Sequence, residues 1–211
     1  MPAPAPSKSV RTRTGLAVAT RAQLAATASF TAEQVAARAG TSPATFYAHF
    51  PTKDQALTAA FELSLDELVT RTNAVLSVET LLDDGLERTC ARLVAELVAH
   101  FRADALVFRA ALARMAEVRP IRDAYRRSEA ASLAHLERFV RRGQAAGLVT
   151  DGPAAALAEL VLVLSQGVNN PRLLRSRDAR RLQEGWTAAL VGVLHPAARH
   201  ASPGGPAVSG G

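Results

Sequence analysis

Phe46, Tyr47, His49 and Phe50 fall within five positions, bracketed by Pro43 and Pro51 and followed by Lys53. The whole chain of 211 residues has ten aromatic side chains, seven Phe, two Tyr and one Trp, so this cluster needs a reason. On a helical wheel Phe46 and Phe50 share one face with Pro43, a face expected to bury against Val35, Ala39 and Leu57. The opposite face is small, with Ala44, Thr45 and Ala48, and Tyr47 and His49 flank it. Such a helix suits the major groove of duplex DNA. The two Phe anchor it, the small face approaches base edges and thymine methyls, and the polar tips reach phosphates on either side. Lys53 then opens the next helix, adding a charge beside free backbone N–H groups. The same pattern also suits a short core helix packed by its small face.

The elements that must position this helix announce their starts. "TAEQ" at 31–34 is a capping box, with Thr31 accepting from a backbone N–H and Gln34 reaching back. "SPAT" sets Ser42 at an N-cap with Pro43 at the first helical position. "TKDQ" at 52–55 repeats the capping-box pattern with Thr52 and Gln55. Gly40 in "AGTS" stands where a left-handed turn is easiest. Helix, short Gly turn, helix is a helix-turn-helix.

Residues 30–57, "FTAEQVAARAGTSPATFYAHFPTKDQAL", resemble the DNA-binding domain of the tetracycline-repressor-like (TetR) family of bacterial regulators, through "VAARAG", "TFYAHF" and the following lysine. The resemblance implies a third helix in the major groove, Tyr47 and Lys53 on phosphates with His49 beside them, a homodimer, and a ligand-sensing C-terminal domain. The expected DNA-contacting set is Arg11, Arg13, Thr31, Thr41, Ser42, Pro43, Ala44, Thr45, Tyr47, Ala48, His49 and Lys53. Two departures stand out: Thr41 occupies a position where the family often has Val, and "TASF" after the first helix lacks the Gly commonly seen there.

Charge supports a polyanion partner for this end. The net charge is +6, and residues 1–53 carry six bases against the single acid Glu33, so +5 of it sits in the first quarter of the chain. Two Lys against 23 Arg suggest a GC-rich bacterial genome. A single cysteine, Cys90, excludes an intramolecular disulfide and fits a reducing compartment. The longest apolar stretch, at 153–168, contains Glu159 and Gln166 and is too short to span a bilayer, so a cytoplasmic protein with no membrane partner is expected.

Nothing alternates as a strand would. The expected fold class is all-α, with about nine helices: an N-terminal three-helix helix-turn-helix domain and a larger C-terminal helical domain for ligand binding and dimerisation. Helical patterns run over 11–28, 32–39, 43–50, 53–70, 80–101, 104–115, 121–146, 153–168 and 178–194, with Pro120 and "NNP" at 169–171 among the breaks. This divides the chain into a flexible arm (1–10), the DNA-binding domain (11–52), the sensing and dimerisation domain (53–196) and a disordered tail (197–211).

The helix at 153–168 is apolar nearly all round, which asks for burial on every side, most easily if a second copy supplies a face. The expected interface is Leu157, Leu160, Val161, Leu164 and Val168 with Leu182, Trp186, Ala189, Leu190 and Val193 of the last helix. One short helix reads few bases, so a dimer on a near-palindromic operator is implied. A sensor cavity for an unidentified small-molecule effector is expected among Cys90, Leu93, Leu97, His100, Phe101, Phe108, Leu112, Met115, Tyr125, Leu136 and Phe139, each of which also suits ordinary core. His100 and His135 could orient a ligand or simply be solvated.

Catalysis finds little footing. There is no phosphate-cradling Gly loop, no HExxH and no Cys/His pair at zinc spacing, so no metal or cofactor is expected. Cys90 has no sequence-near histidine. "LSQG" at 164–167 lacks the nucleophile elbow. "RPIRDAYRR" at 119–127 reads as a helix start with Asp123 available for pairing. A ligand-responsive regulator, most readily a repressor, stands against two alternatives: a helical small-molecule binder or an all-α enzyme, either with a vestigial DNA-binding head.

Overall fold

The computed structural model describes residues 7–175 and 177–195. Residues 1–6 of the expected arm and all of the expected tail lie outside the described residues. Among those described, every regular element is a helix, and there are ten: α1 Lys8–Thr27, α2 Ala32–Arg38, α3 Pro43–His49, α4 Lys53–Val75, α5 Val78–Ala103, α6 Ala105–Arg114, α7 Arg119–Ala145, α8 Ala154–Gly167, α9 Pro171–Arg175 and α10 Ala179–Leu194. The all-α expectation holds, while the count of about nine falls one short.

Local chemistry explains where helices begin. Ser7 accepts from the N–H of Val10, so α1 starts three residues before the expected Arg11. Two prolines expected to break helices start them instead. Pro120 sits in the first turn of α7, where its missing N–H leaves nothing unpaired. In "NNP", Asn170 Oδ1 accepts from the N–H of Arg172 at 2.9 Å, and Pro171 opens the extra helix α9, which buries Leu173 and Leu174. Gly85, at φ 78° and ψ 168°, breaks the helical path of α5 in a conformation other residues avoid.

The ends are equally local. Ala28 closes α1 in the left-handed conformation at φ 64°, donating its N–H to Leu24. That is the place of the glycine missing from "TASF", and here an alanine takes up the strain. Gly40 is left-handed as expected, at φ 64°.

Two apolar cores organise the chain. The smaller joins Leu16, Ala17 and Ala19 of α1 with Ala32, Val35 and Ala36 of α2, Phe46 and Phe50, and Ala56 of α4. The larger runs from Leu24 of α1 and Leu57, Ala60, Phe61 and Leu65 of α4 through α5–α10. Both α1 and α4 therefore contribute to each core, and α4 does so from two faces, with Ala56, Ala59 and Leu63 on the smaller core and Leu57, Ala60, Phe61 and Leu65 on the larger. At the far end α10 packs on α8. The ring of Trp186 lies where a side chain on Gly167 would be, and its Nε1–H donates to the Leu164 carbonyl at 2.9 Å.

Candidate nucleic-acid interface and effector cavity

Three caps hold the head. Thr31 and Gln34 form the full reciprocal box, at 3.2 Å and 2.9 Å. Ser42 Oγ accepts from the N–H of Thr45 at 3.1 Å and lies 3.0 Å from its hydroxyl. Thr52 Oγ1 accepts from the N–H of Gln55 at 3.3 Å, the forward half of the same arrangement. With its ends satisfied, the seven-residue α3 is rigid enough to present one face.

Its two faces differ sharply. Phe46 and Phe50 are wholly buried, ring centroids 5.8 Å apart, while Tyr47 is 49% exposed and Ser42, Pro43, Ala44 and Ala48 are exposed. Thr45 and His49 are half-buried. The wheel placed the aromatic anchor and the small face correctly and erred at the edges. Pro43 is exposed, because it stands at the N-terminal end of α3 beyond the core. Leu57 belongs to the larger core, on a different face of α4 from Ala56, Ala59 and Leu63, which pack on the head. Leu16, Ala17 and Ala19 of α1 close over the Phe pair instead.

The basic residues are partly committed. Arg13 stacks 4.3 Å from the Phe50 ring centre and donates to the carbonyl of His49, so it braces the end of α3 while remaining exposed. Arg38 donates to Gln23 at 3.2 Å. Lys53 is exposed, its Nζ 6.0 Å from the Phe30 ring centre. Arg11 and Thr31 are exposed, the Thr31 hydroxyl accepting the helix cap. Thr41 is half-buried, and its Oγ1, shielded from solvent, finds no protein partner. Its N–H donates to Ala36 at 2.9 Å across the turn.

Residues 17–60 match the family of bacterial regulatory proteins described as tetR. This is a tetR-family head. The fold of the whole chain is TetR-like as well. A putative TetR-family regulator from Mesorhizobium loti covers 90% of this chain and 100% of its own at 18% identity, with a TM-score of 0.71. A TetR regulator from Haloarcula marismortui covers 88% and 99% at 17% identity, with 0.70. A putative regulator from Saccharomonospora viridis, solved in complex with choline, covers 88% and 97% at 22% identity, with 0.67. At these identities the likeness is one of fold. No curated protein matches the sequence.

Behind the tetR-family head, the larger core holds a cavity in two lobes. One, of about 70 Å³, is lined by Leu68, Thr72, Asn73 and Leu76, by Leu93, Leu97 and Phe101, by Ser132 and Leu136, and by Leu162, Ser165 and Gln166. The second, of about 100 Å³, adds Leu65, Phe108, Leu112, Tyr125, Ser128, Glu129 and Asn169. The lobes share Leu68, Phe101, Ser132, Leu162 and Gln166.

Seven of the expected cavity residues line it: Leu93, Leu97, Phe101, Phe108, Leu112, Tyr125 and Leu136. Cys90, His100, Met115 and Phe139 do not. Cys90 is core, and burial pushes its thiol up to about 12. His100 is buried against Ser64 at 3.2 Å, and burial lowers its pKa. His135 binds the carbonyl of Leu76 at 2.8 Å. The polar lining from α4 and α8 was missed, because Thr72, Asn73, Ser165 and Gln166 look like surface residues until two helices face each other.

The expected interface residues divide the same way. Leu160 is 52% and Leu182 41% exposed, Ala189 is exposed, and Leu157, Leu164, Trp186 and Val193 are half-buried. Val161, Val168 and Leu190 are buried within the chain and are not surface. Val163, 64% exposed beside Leu160 on α8, was passed over. No group of three or more His, Cys, Asp or Glu among the described residues could hold a metal, and no described helix is long and apolar enough to cross a membrane.

Proposed function

We propose that this protein is a ligand-responsive transcriptional repressor that binds a near-palindromic operator as a homodimer. The observation that carries the reading is the asymmetry of α3 on a tetR-family head. Both Phe anchors are sealed in the core, while Ala44, Tyr47 and Ala48 stand outward on a helix narrow enough for a major groove. Ala44, Ala48 and Thr45 would meet base edges; Tyr47, His49 and Lys53 would hold phosphates. Arg11, Arg13, Thr31, Thr41, Ser42 and Pro43 would support or flank that contact.

The remaining parts follow from this placement. We assign DNA binding to residues 11–52 and sensing and dimerisation to 53–196, with α4 as the element common to both. The exposed apolar stripe of Leu160, Val163, Leu182 and Ala189 would pair with its copy across a two-fold, setting the spacing of two α3 helices. The lobed cavity would take the effector; a regulator of similar fold from Saccharomonospora viridis was solved in complex with choline. Effector binding must differ between DNA-ready and spread states to release the operator. Such a regulator works where the chromosome is, in the cytoplasm.

Selection of random duplexes with the purified protein tests the reading. A near-palindromic enriched site is the expected result. Lys53→Ala should then weaken binding to all sequences and flatten its salt dependence, while substitution of Thr45 should shift sequence preference. Failure to enrich any sequence at moderate salt would overturn the reading and leave the helical body as the seat of function.

A further inference from the structure

The charge pattern of the cavity is more selective than its shape. Of the side chains lining either lobe, none is Lys, Arg or His, and the one carboxylate is Glu129. The rest are aliphatic, aromatic or neutral polar. An anionic ligand would bring its charge, stripped of water, toward an acid with no base to receive it. An uncharged ligand would leave that acid's capacity unused.

Glu129 is itself half-prepared for a partner. Gln166 Nε2–H donates to its Oε1 at 2.6 Å, which fixes the carboxylate at the seam of the two lobes; with the Tyr125 phenol also interacting, the carboxylate still keeps acceptor sites for a partner. Two arginines of α7 are engaged elsewhere: Arg122 donates to the carbonyls of Met115 and Ala116, and Arg127 pairs with Glu62 at 2.8 Å, while Arg126, one turn before Glu129, is exposed and does not line either lobe. Among the described residues no ion pair includes Glu129. Its neighbours are aromatic. Tyr125 lies one turn before it on α7, its phenol pKa raised by burial, then by the Glu129 charge and by a hydrogen bond to that carboxylate. Phe101 and Phe108 meet edge to face, centroids 5.0 Å apart, on the wall of the same lobe. A carboxylate among three aromatic rings is the environment that attracts an organic cation, through charge on one side and ring quadrupoles on the other. The first lobe, with Leu93, Leu97 and Leu136, continues it as an apolar slot.

We propose that the cavity binds a small amphipathic organic cation, an amine or quaternary ammonium head at Glu129, Tyr125, Phe101 and Phe108 with its apolar body toward Leu97 and Leu136. This rests on the reading of the cavity as the effector site and adds the chemical class of what enters it.

Calorimetric titration of the full-length protein with three probes tests this: benzyltrimethylammonium, its uncharged carbon isostere neopentylbenzene, and phenylacetate. The cation should bind about tenfold or more tighter than the isostere, and phenylacetate should bind least. Glu129→Gln, a half-exposed and nearly isosteric change, should remove about tenfold from the cation alone. Ser132→Leu, which fills the wall common to both lobes, should abolish binding of every probe that uses the cavity. Equal or tighter binding of the isostere, preference for phenylacetate, no binding of the cation, or indifference to Glu129→Gln would each overturn the proposal. Release from the selected operator is followed in parallel. Cation binding that needs Glu129 but leaves DNA binding unchanged would uphold the ligand class and sink the effector reading. Release by a neutral or anionic probe, blocked by Ser132→Leu, would do the reverse.

Discussion

Arg21 and Asp104, eighty-three residues apart, are joined through a single carboxylate oxygen: Asp104 Oδ2 accepts from Arg21 Nη2 at 2.6 Å and Nε at 2.8 Å. Arg21 Nη1 also reaches Glu67 on α4 at 2.6 Å. One guanidinium thus ties α1 to α4 and to the corner between α5 and α6. The same Asp104 oxygen accepts from the Ser64 hydroxyl, which lies beside His100 Nε2. His100 stands edge-on to Phe101 and Phe108, the wall of the cavity. A continuous set of contacts therefore runs from the cavity lining to the helix that closes over the Phe anchors of the head.

Breaking that link from one side should be costly. The Asp104 side chain is 4% exposed, so Arg21→Ala strands a buried carboxylate with only Ser64 and His100 beside it. A loss of about 3 kcal/mol in urea unfolding is expected, at the lower end for such pairs because Arg21 keeps some solvent contact. Asp104→Asn retains the shape and should cost less. A wild-type unfolding midpoint in Arg21→Ala would show that the link carries no stability.

His100 predicts a pH dependence on the acid side. Burial lowers its pKa from 6.5, opposed by Asp104 and assisted by Arg21, with smaller contributions from Glu67 and Arg71. The folded state therefore binds the proton less readily than the unfolded chain. The sign is that stability is full above 6.5 and declines as pH falls from there toward the folded value. Glu67, held below its usual range first by its hydrogen bond to Arg21, adds a further loss below 4.5. Thermal midpoints across pH 7 to 5 should fall for the wild type and flatten in His100→Gln; parallel slopes would remove His100 as the cause.

Ala28→Gly should stabilise the protein. At φ 64° the alanine occupies a region that costs an L-residue about 1–2 kcal/mol and glycine almost nothing. The greater freedom of glycine in the unfolded chain offsets part of this, leaving a gain of up to about 1 kcal/mol. A higher midpoint in thermal unfolding is the expected result, and a lower one would mean that Ala28 is not strained.

Gly167→Ala should do the opposite, at the other end of the molecule. The new methyl would lie 2.6 Å from Trp186 Cζ2 and 2.8 Å from Cη2, and the indole is pinned by its bond to Leu164. Separating α8 from α10 should cost about 1–3 kcal/mol. Since the exposed Leu160, Val163 and Leu182 lie on these two helices, the proposed dimer, measured by sedimentation, should weaken too. Unchanged stability would show that Trp186 can swing aside.

Much of the head was legible because its determinants are local. A capping residue, a proline at the first helical position and a glycine in a left-handed turn each act within four residues, so Thr31, Ser42 and Gly40 could be placed by spacing. The i, i+4 anchor Phe46 and Phe50 needed only the helical period. The same local reasoning misjudged Pro120 and Pro171, since a proline that ends one helix and one that begins the next differ only in what lies around them. What covers an anchor was not legible either: Leu16, Ala17 and Ala19 close over the Phe pair from nearly thirty residues away.

Sequence alone determined the all-helical class, the caps, the basic end and the face that α3 turns outward, because backbone hydrogen bonding and side-chain period operate within a few residues. Tertiary structure alone decided the cavity and the Arg21–Asp104 link. These depend on how six separate helices cross, and crossing geometry is set by packing between residues far apart in the chain. That is why Glu129, Gln166 and Thr72, unremarkable in the sequence, meet around one space, while Cys90 and His100, conspicuous there, are buried outside it.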